Sequence, residues 1–281
     1  MEPGSRLAAV GDVRGLWRRT LYRRADDVLD SSTEVHWLQG PRYFADIRQP
    51  VERISFAGVG CLRDLDNAHL AWLAQQEAFA GDLQLDGTLA WWQRSIDMQP
   101  QGPFEDRARL SQDGDVLDEY GTESPYYERW ERSNPSTGAH WGLHLASEAD
   151  GRRGFLVRAA DRMMFARARR SSLPPGRTLA KALAALPTLE ERQDLLDVEV
   201  SLGSVAANER EWLIERSTLP FKTATRCSIR RREDITASGA RVIELDDLDA
   251  EGRRIIGLWR ILDADAPEAA AEFAAPISII R

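Results

Sequence analysis

The stretch HWLQGPRYFADIRQP, residues His36–Pro50, decides the fold. Two runs rich in aromatic and β-branched residues flank Gly40 and Pro41, and this dipeptide marks a turn, so the stretch predicts a β-hairpin. In its second strand the side chains alternate, so Asp46 and Arg48 share one face. Alternation does not say which face points inward, because both faces mix polar and apolar residues. The two residues are therefore either an ordinary surface ion pair or the polar part of a ligand pocket.

Most of the chain repeats this pattern of short strands separated by polar turns. Asp-Gly pairs at 113–114 and 150–151 are typical of tight hairpins. About eight or nine strand-like runs precede residue 134 and a similar number follow it, which favours antiparallel barrels. Two regions depart from the pattern. A short helix is predicted near 66–77, and a helical insertion, interrupted by Pro187, is predicted near 178–196.

SNPSTG, residues 133–138, is the best candidate for a linker. It predicts an N-terminal barrel over residues 1–134 and a C-terminal barrel-like domain, with the helical insertion, over 135–281. Short echoes support two related units: WWQRSIDMQP at 91–100 resembles WLIERSTLPF at 212–221, and HWLQ at 36–39 resembles HWGLH at 140–144. One continuous domain is the alternative.

The composition limits the classes of protein to which the chain can belong. The net charge of −8 argues against a general nucleic-acid binder, which needs a positive face. No apolar run reaches the length of a membrane span, and the N-terminus lacks the pattern of a signal peptide. Cys61 and Cys227 cannot build a disulfide framework or a zinc site alone. We therefore expect a cytoplasmic protein without metal, cofactor, nucleic-acid or membrane partners, and a homodimer is a reasonable starting hypothesis.

Familiar catalytic signatures are missing from the sequence. It has no phosphate-binding loop, no Gly-x-Ser-x-Gly elbow and no His-Glu-x-x-His pair. His140 and His144 lie on a predicted strand, where their spacing does not favour a shared metal. The arginine-rich run 152–170 alternates charged and apolar residues, which favours a hairpin with one solvated face over an anion site.

A mixture of aromatic and charged residues on three predicted strands is more informative. A barrel lumen that binds an organic molecule needs aromatic walls and a few polar groups that orient the ligand. The candidate ligand-binding residues are Trp37, Tyr43, Arg48, Trp92, Arg94, Tyr127 and Trp130. Candidate catalytic carboxylates are Asp46, Asp97 and Glu128. Alternation groups Trp92 and Arg94 with Ile96 and Met98, and places Asp97 on the opposite face. The alternative is that these charges form cross-strand surface pairs.

Four segments together resemble a family: the opening stretch, WWQRSIDMQP, DVLDEYGTESPYYERWER at 115–132 and GFLVRAADRMMFARAR at 154–169. The chain resembles a little-characterised lipocalin-like (calycin-type) barrel family of bacteria and fungi that includes a casein-kinase-interacting yeast protein. The resemblance covers roughly residues 14–218. It implies a lipocalin-like fold of one barrel or of two in tandem, and the family supplies no established enzymatic activity, and hence no catalytic residues, to carry over to this chain.

The leading functional hypothesis is a soluble lipocalin-like protein that binds a small, partly apolar organic ligand in an aromatic-lined barrel. A cofactor-free enzyme of the isomerase, cyclase or hydratase type is the first alternative, with a lumen carboxylate as acid or base. That alternative requires a desolvated carboxylate within reach of a pocket. A protein-interaction adaptor with a filled barrel is the second alternative, and an exposed cluster of tryptophans would favour it.

Overall fold

The computed structural model describes residues 11–133, 137–171, 173, 178–206, 210–231 and 241–266. Within them the chain folds into two closed barrels, each of eight antiparallel strands. The predicted fold class is confirmed. The predicted boundary between residues 134 and 135 lies outside the described residues and stays a prediction.

The first barrel is closed by pairing of its first strand with its eighth. Its strands are β1 (Gly15–Arg24), β2 (Thr33–Gln39), β3 (Tyr43–Pro50), β4 (Glu77–Asp86), β5 (Leu89–Asp97), β6 (Arg107–Asp113), β7 (Val116–Gly121) and β8 (Tyr126–Arg132). The quoted stretch forms the β2–β3 hairpin, and the amide of Gly40 donates to the carbonyl of Tyr43 across its turn.

The second barrel has the same strand order, and its first strand pairs with its last. Its strands are β9 (His140–Ser147), β10 (Arg153–Ala159), β11 (Arg162–Arg167), β12 (Glu199–Val205), β13 (Glu211–Ser217), β14 (Arg226–Arg231), β15 (Val242–Leu248) and β16 (Arg254–Ala264). The Asp-Gly turns predicted from the sequence join β6 to β7 and β9 to β10. Gly114 and Gly151 there adopt φ of 60° and 72°, which suits glycine.

Three short helices lie between strands. Helix α1 (Asn67–Leu73) confirms the short helix predicted near 66–77; Asp66 caps it, and it ends at Leu73, before β4 begins at Glu77. The helical insertion forms α2 (Leu179–Ala184) and α3 (Leu189–Leu195), with Pro187 between them. The described part of the chain contains no helix long and apolar enough to cross a membrane.

The run ISFAGVG at 54–60 has strand-like composition, but the structure shows it as turns and irregular chain. Phe56 stacks on His69 and packs edge-on against Trp72, so its ring covers α1 instead of joining a sheet. Gly58 has φ of 85°, which also interrupts an extended strand.

Both barrels carry the same irregularity between their fourth and fifth strands. The register shifts beside Gly81 in β4 and beside Gly203 in β12. A Cβ atom on Gly81 would lie 1.9 Å from the carbonyl oxygen of Gln93, and one on Gly203 would lie 2.3 Å from that of Leu213. Each bulge therefore requires glycine at this position.

The register of the two barrels defines equivalent residues. Phe44 and Met163 each face the bulge glycine of the next strand, Gly81 or Gly203. Counted from Phe44 and Met163, the residues two positions later are Asp46 and Phe165, and those four positions later are Arg48 and Arg167, so these are equivalent pairs. Arg48 and Arg167 pair across the sheet with Glu77 and Glu199. The echo between segments 91–100 and 212–221 therefore falls on the fifth strand of both barrels. The echo between HWLQ at 36–39 and HWGLH at 140–144 does not, since it compares the second strand of the first barrel with the first strand of the second.

The barrels pack against each other through the outer faces of corresponding strands. Their second, third and fourth strands contribute to one apolar cluster, in which Ala45, Ile47, Val157, Met164 and Val200 are fully buried. The β2–β3 turn also docks on the second barrel, since the amides of Arg42 and Tyr43 both donate to Asp265 at 2.9 Å. The arrangement resembles a symmetric dimer built within one chain.

The barrel interiors form two separate apolar clusters. The first contains Trp17, Trp37, Trp92 and Trp130 with Phe44 and Phe79. The second contains Trp141, Trp212 and Trp259 among aliphatic residues. Of the nine tryptophans, all of which lie in described residues, none is exposed. The exposed tryptophan cluster that would favour the adaptor hypothesis does not exist.

Candidate functional site

The face of β3 that carries Asp46 and Arg48 points into the first barrel. Both residues line a small internal space together with Trp37 and Phe79, and the side chain of Asp46 is almost fully buried. Arg48 donates from Nε to Asp46 Oδ1 at 2.9 Å. Asp46 and Arg48 therefore lie in the lumen and are not a surface ion pair.

Strand β5 reverses its faces at the bulge opposite Gly81. Trp92 and Arg94 point inward, and the extra residue Ser95 then shifts the alternation. Ile96 consequently packs outward in the cluster between the barrels, as does Met98 beyond it. The predicted grouping of Ile96 and Met98 with Trp92 is wrong, and so is the placing of Asp97 on the opposite face from Arg94.

Arg94 forms ion pairs with two carboxylates. It donates from Nη2 to Asp106 at 2.5 Å and lies 3.4 Å from Asp97. Its guanidinium also lies 3.5 Å from the centre of the Phe79 ring, where cation–π attraction adds to the ion pairs. Arg48 contacts the same ring at 4.9 Å. Phe79 thus separates two cations, each of which has its own carboxylate.

Glu119, on β7, accepts hydrogen bonds on both carboxylate oxygens. The Tyr126 hydroxyl donates to one at 2.5 Å, and Trp130 Nε1 donates to the other at 2.9 Å. Glu128, on β8, accepts from Arg19 at 2.5 Å, and this pair is nearly inaccessible to solvent. The lumen therefore holds more carboxylates than arginines.

Burial changes the acidity of these carboxylates. Desolvation raises the pKa of Asp46 to about 6, although Arg48 opposes the change. Desolvation likewise raises the pKa of Asp97 to about 6, against Arg94. The pKa of Glu119 rises to about 8 because it is buried and faces the charge of Glu128. A buried acid with a raised pKa holds its proton near neutral pH.

The interior itself is filled by side chains. The internal space beside Asp46 and Glu119 measures only about 10 Å³, which is room for about one water molecule. A larger cleft of about 550 Å³ lies at the end of the barrel, where β5 and β6 diverge after residue 91. Trp92, Arg94 and Asp106 lie between the cleft and the filled interior, and they form the boundary between the two.

The cleft combines apolar and polar walls. Trp91, Trp92, Phe104 and Tyr126 supply aromatic surface. Phe104 is 62% exposed, which is unusual for a phenylalanine and gives the cleft an open apolar edge. Arg94 and Asp106 form the polar floor.

Two predicted ligand-binding residues do not face the lumen or the cleft. Tyr43 lies between the barrels, where its ring contacts Phe155 at 5.2 Å and its hydroxyl donates to Asp263 at 2.8 Å. Tyr127 points outward from β8 and donates to Asp118 at 2.6 Å. Both corrections follow from strand alternation, since each tyrosine is adjacent to an inward residue, Phe44 or Glu128.

The other candidates are brought together. Trp37, Asp46, Arg48, Trp92 and Trp130 line the internal space, and Arg94, Asp97 and Glu128 contribute to the ion pairs around it. Sequence reasoning missed Glu119 and Asp106. Strand alternation places Tyr126 on the same face as Glu128, but Tyr126 was not among the predicted site residues. Asp106 lies in a loop without periodicity.

The sequence favoured a hairpin with one solvated face for the arginine-rich run 152–170, but two of its arginines do not lie on a solvated face. Arg158 and Arg167 are buried. Arg167 faces the interior of the second barrel and pairs with Asp197 at 2.8 Å. In the part of the chain that the structure covers, no three His, Cys, Asp or Glu residues form a group able to hold a metal ion.

Comparison with known proteins does not assign the chain to a family. No family model matches the chain. No curated protein matches it either. One similar solved structure is the crystal structure of the uncharacterized protein YLR301w from Saccharomyces cerevisiae. The similarity covers 89% of this chain and 98% of that one, with a TM-score of 0.48 and 10% sequence identity.

Proposed function

We propose that this protein binds a small, partly apolar organic molecule in the cleft at the end of the first barrel. The supporting observation is a cleft of about 550 Å³ that combines aromatic walls with the Arg94–Asp106 pair. Ligand sites of small molecules fall in this size range and combine these features. Because the space inside the barrel is only about 10 Å³, we place the ligand at the mouth, where it contacts Trp92 from outside, instead of deep in the lumen.

Native mass spectrometry of the purified full-length protein tests this proposal. We expect one small molecule to be retained by the wild type. Gly102→Trp should abolish retention, because Gly102 lines the cleft and a Cβ atom there would meet no other atom within 4 Å, so an indole has room to occupy the ligand's place. Ala184→Trp, on the exposed face of α2, is the matched control and should retain the molecule. Equal occupancy in both variants, or none in the wild type, would contradict the proposal.

A cofactor-free enzyme at the same cleft is the second candidate. Its support is that Tyr126 lines the cleft and donates to Glu119, whose pKa is raised to about 8. Glu119 and Tyr126 together could move a proton between the buried carboxyl and a molecule in the cleft. Carbon-13 NMR of the Glu119 carboxyl, assigned with Glu119→Gln, tests this candidate. A titration midpoint near the ordinary 4.5 would remove its support.

We also propose a cytoplasmic location, and a homodimer as the assembly to test first. Cys61 and Cys227 are both free thiols, which suits a reducing compartment. Sedimentation velocity of the purified chain tests the assembly, and a single species with the mass of one chain would contradict the homodimer.

A further inference from the structure

A second cleft lies between the two barrels and shares no lining residue with the cleft of the proposed function. Glu34, Arg53 and Ile54 of the first barrel line one side of this inter-barrel cleft, and Arg216 and Pro220 of the second barrel line the other. Its volume is about 440 Å³, which lies within the range of small-molecule sites.

Two arginines of this cleft share one carboxylate. Arg53 donates from Nη2 to Glu34 Oε2 at 3.2 Å, and Arg216 donates from Nη2 to Glu34 Oε1 at 2.6 Å. In the described part of the chain, neither arginine forms an ion pair with another carboxylate. Burial alone would raise the pKa of Glu34, but Arg216, His36 and Arg53 hold it below its ordinary value. Glu34 is therefore ionised and holds both guanidinium groups at the cleft.

The acceptors of the charged and amide side chains in the lining are already in use. Glu34 accepts from the arginines on both oxygens, and the amide oxygen of Gln49 accepts from Arg53 Nη1 at 3.0 Å. Glu215 accepts from Arg162 on both oxygens, at 2.8 Å and 3.0 Å. A ligand that brought a positive charge would therefore have to displace an arginine from its carboxylate.

The donors of the two arginines are not all in use. Among the described residues, Arg216 Nε and Nη1 have no acceptor, and neither does Arg53 Nε. The side chains of Arg53 and Arg216 are 38% and 27% exposed, so these N–H groups are within reach of a ligand. A guanidinium group is a planar fork that matches the two oxygens of an anion. The lining therefore favours a ligand with an anionic group.

The charges of the cleft and its surroundings balance. The lining carries two arginines and two carboxylates, and four charged neighbours add two of each. Burial lowers the pKa of His36, so this residue is neutral above its ordinary value. Because there is no net positive charge, one negative charge on the ligand fits better than two. The residues counted are Arg53, Arg216, Arg162 and Arg18, with Glu34, Glu215, Asp161 and Glu52.

The same cleft offers apolar surface beside the arginines. Ile54 is 38% exposed, and Phe56 and Pro220 are half-buried. An apolar group that covers these side chains removes them from water, which contributes to binding.

We propose that the inter-barrel cleft binds a small organic carboxylate with an apolar body. The carboxylate accepts hydrogen bonds from the free N–H groups of Arg53 and Arg216, and the body packs on Ile54, Phe56 and Pro220. The ligand thereby contacts both barrels. This site does not depend on the proposed function of the first barrel.

Isothermal titration calorimetry of the full-length protein at pH 7.5 tests the site with naphthalene probes that differ in charge. We expect 1-naphthoate to bind. The uncharged 1-naphthamide should bind about tenfold more weakly or worse, because it loses the charge-assisted hydrogen bonds. The dianion 1-naphthyl phosphate should bind more weakly than 1-naphthoate, and 1-naphthylmethylammonium should not bind. No binding of 1-naphthoate, or equal or tighter binding of any other probe, would overturn the proposal.

Two variants with opposite effects locate the probe. Arg216→Met should weaken 1-naphthoate binding about tenfold. Glu34→Gln should tighten it at least threefold, because it removes the carboxylate that competes for both arginines, whereas damage to the cleft would weaken binding. Arg129→Met, at an exposed ion pair of β8, and Gly102→Trp, in the first-barrel cleft, are the controls and should leave the affinity unchanged. Unchanged or weaker binding by Glu34→Gln, unchanged binding by Arg216→Met, or loss of binding in Gly102→Trp would contradict the proposal.

Discussion

At the residue scale, the first barrel holds its charges by pairing each arginine with its own carboxylate in an aromatic interior. Arg48 pairs with Asp46, Arg94 with Asp106, and Arg19 with Glu128. Such pairs contribute little net stability compared with apolar packing, but removing one partner leaves a buried charge alone. We therefore expect the lumen to tolerate replacement of both members of an ion pair better than replacement of one member alone.

Arg48→Met should destabilise the protein by about 3–5 kcal/mol at pH 8 because Asp46 would remain charged and unpaired. The pKa of Asp46 is already raised to about 6, so protonation relieves this penalty as the pH falls. Urea unfolding should therefore show a smaller difference from wild type at pH 5 than at pH 8. The double variant Arg48→Met/Asp46→Leu should recover most of the loss. Equal losses at both pH values would contradict this explanation.

Glu119→Gln should change the pH dependence of stability. The folded protein binds a proton at Glu119 more tightly than the unfolded chain, since its pKa rises from 4.5 to about 8. Its stabilising contribution is fully present below pH 4.5 and is lost as the pH rises through about 8. Glutamine keeps the arrangement of the protonated acid, so the variant should lose less stability between pH 5 and 9, by on the order of 2–4 kcal/mol. Urea unfolding at a series of pH values measures this. If the free energies of unfolding of the wild type and the variant changed in parallel with pH, Glu119 would not be the group responsible.

At the scale of elements, strands were predictable and their faces were not. Apolar runs and Asp-Gly turns indicated the sixteen strands of the described residues, because these signals are local, but they also indicated a strand at 54–60 that does not form. The inward face of β5 was not predictable, since it depends on a bulge set by Gly81 on the preceding strand. Asp97 and Ile96 were assigned to the wrong faces for this reason. The buried ion pairs of Lys222 with Glu199 and Asp247 were missed because they join a turn to β12 and β15, which lie far apart in the sequence.

Gly81→Ala and Gly203→Ala should each destabilise the protein by on the order of 3 kcal/mol, because a Cβ atom would collide with backbone oxygen. Gly102→Ala is the matched control, since a Cβ atom there would meet no other atom within 4 Å, and it should be neutral. Thermal unfolding followed by circular dichroism measures all three. A tolerated alanine at either bulge would show that the register shift is not essential.

At the scale of the whole molecule, the two barrels are one packed unit. The interface buries apolar side chains from the second, third and fourth strands of each barrel, and His144 stacks on Phe155 at 4.8 Å inside it. The resemblance of the two halves in strand order, bulge position and the Arg–Glu pair was visible in the sequence only as a weak echo. The strand register shows which residues of the two barrels are equivalent.

Val157→Asp should uncouple the barrels. Val157 is fully buried in the interface and points away from the interior of its own barrel. A carboxylate there is costly while the barrels are in contact and becomes solvated when they separate. Differential scanning calorimetry should show one transition for the wild type and two for the variant. Leu213→Asp, on the outer surface of β13, is the control and should leave a single transition. A single transition in Val157→Asp would contradict the uncoupling.

The interface also has a consequence for synthesis on the ribosome. The first barrel can close once β8 has emerged, yet the outer face of β2–β4 has no partner until β12 has been made. About 70 residues separate Arg132 from Val205, which corresponds to about 4–15 s at usual elongation rates. During that interval each nascent chain displays an apolar patch that a neighbouring nascent chain could occupy. Polysome-bound chains should therefore recruit a holdase chaperone in this window, before the second barrel covers the patch.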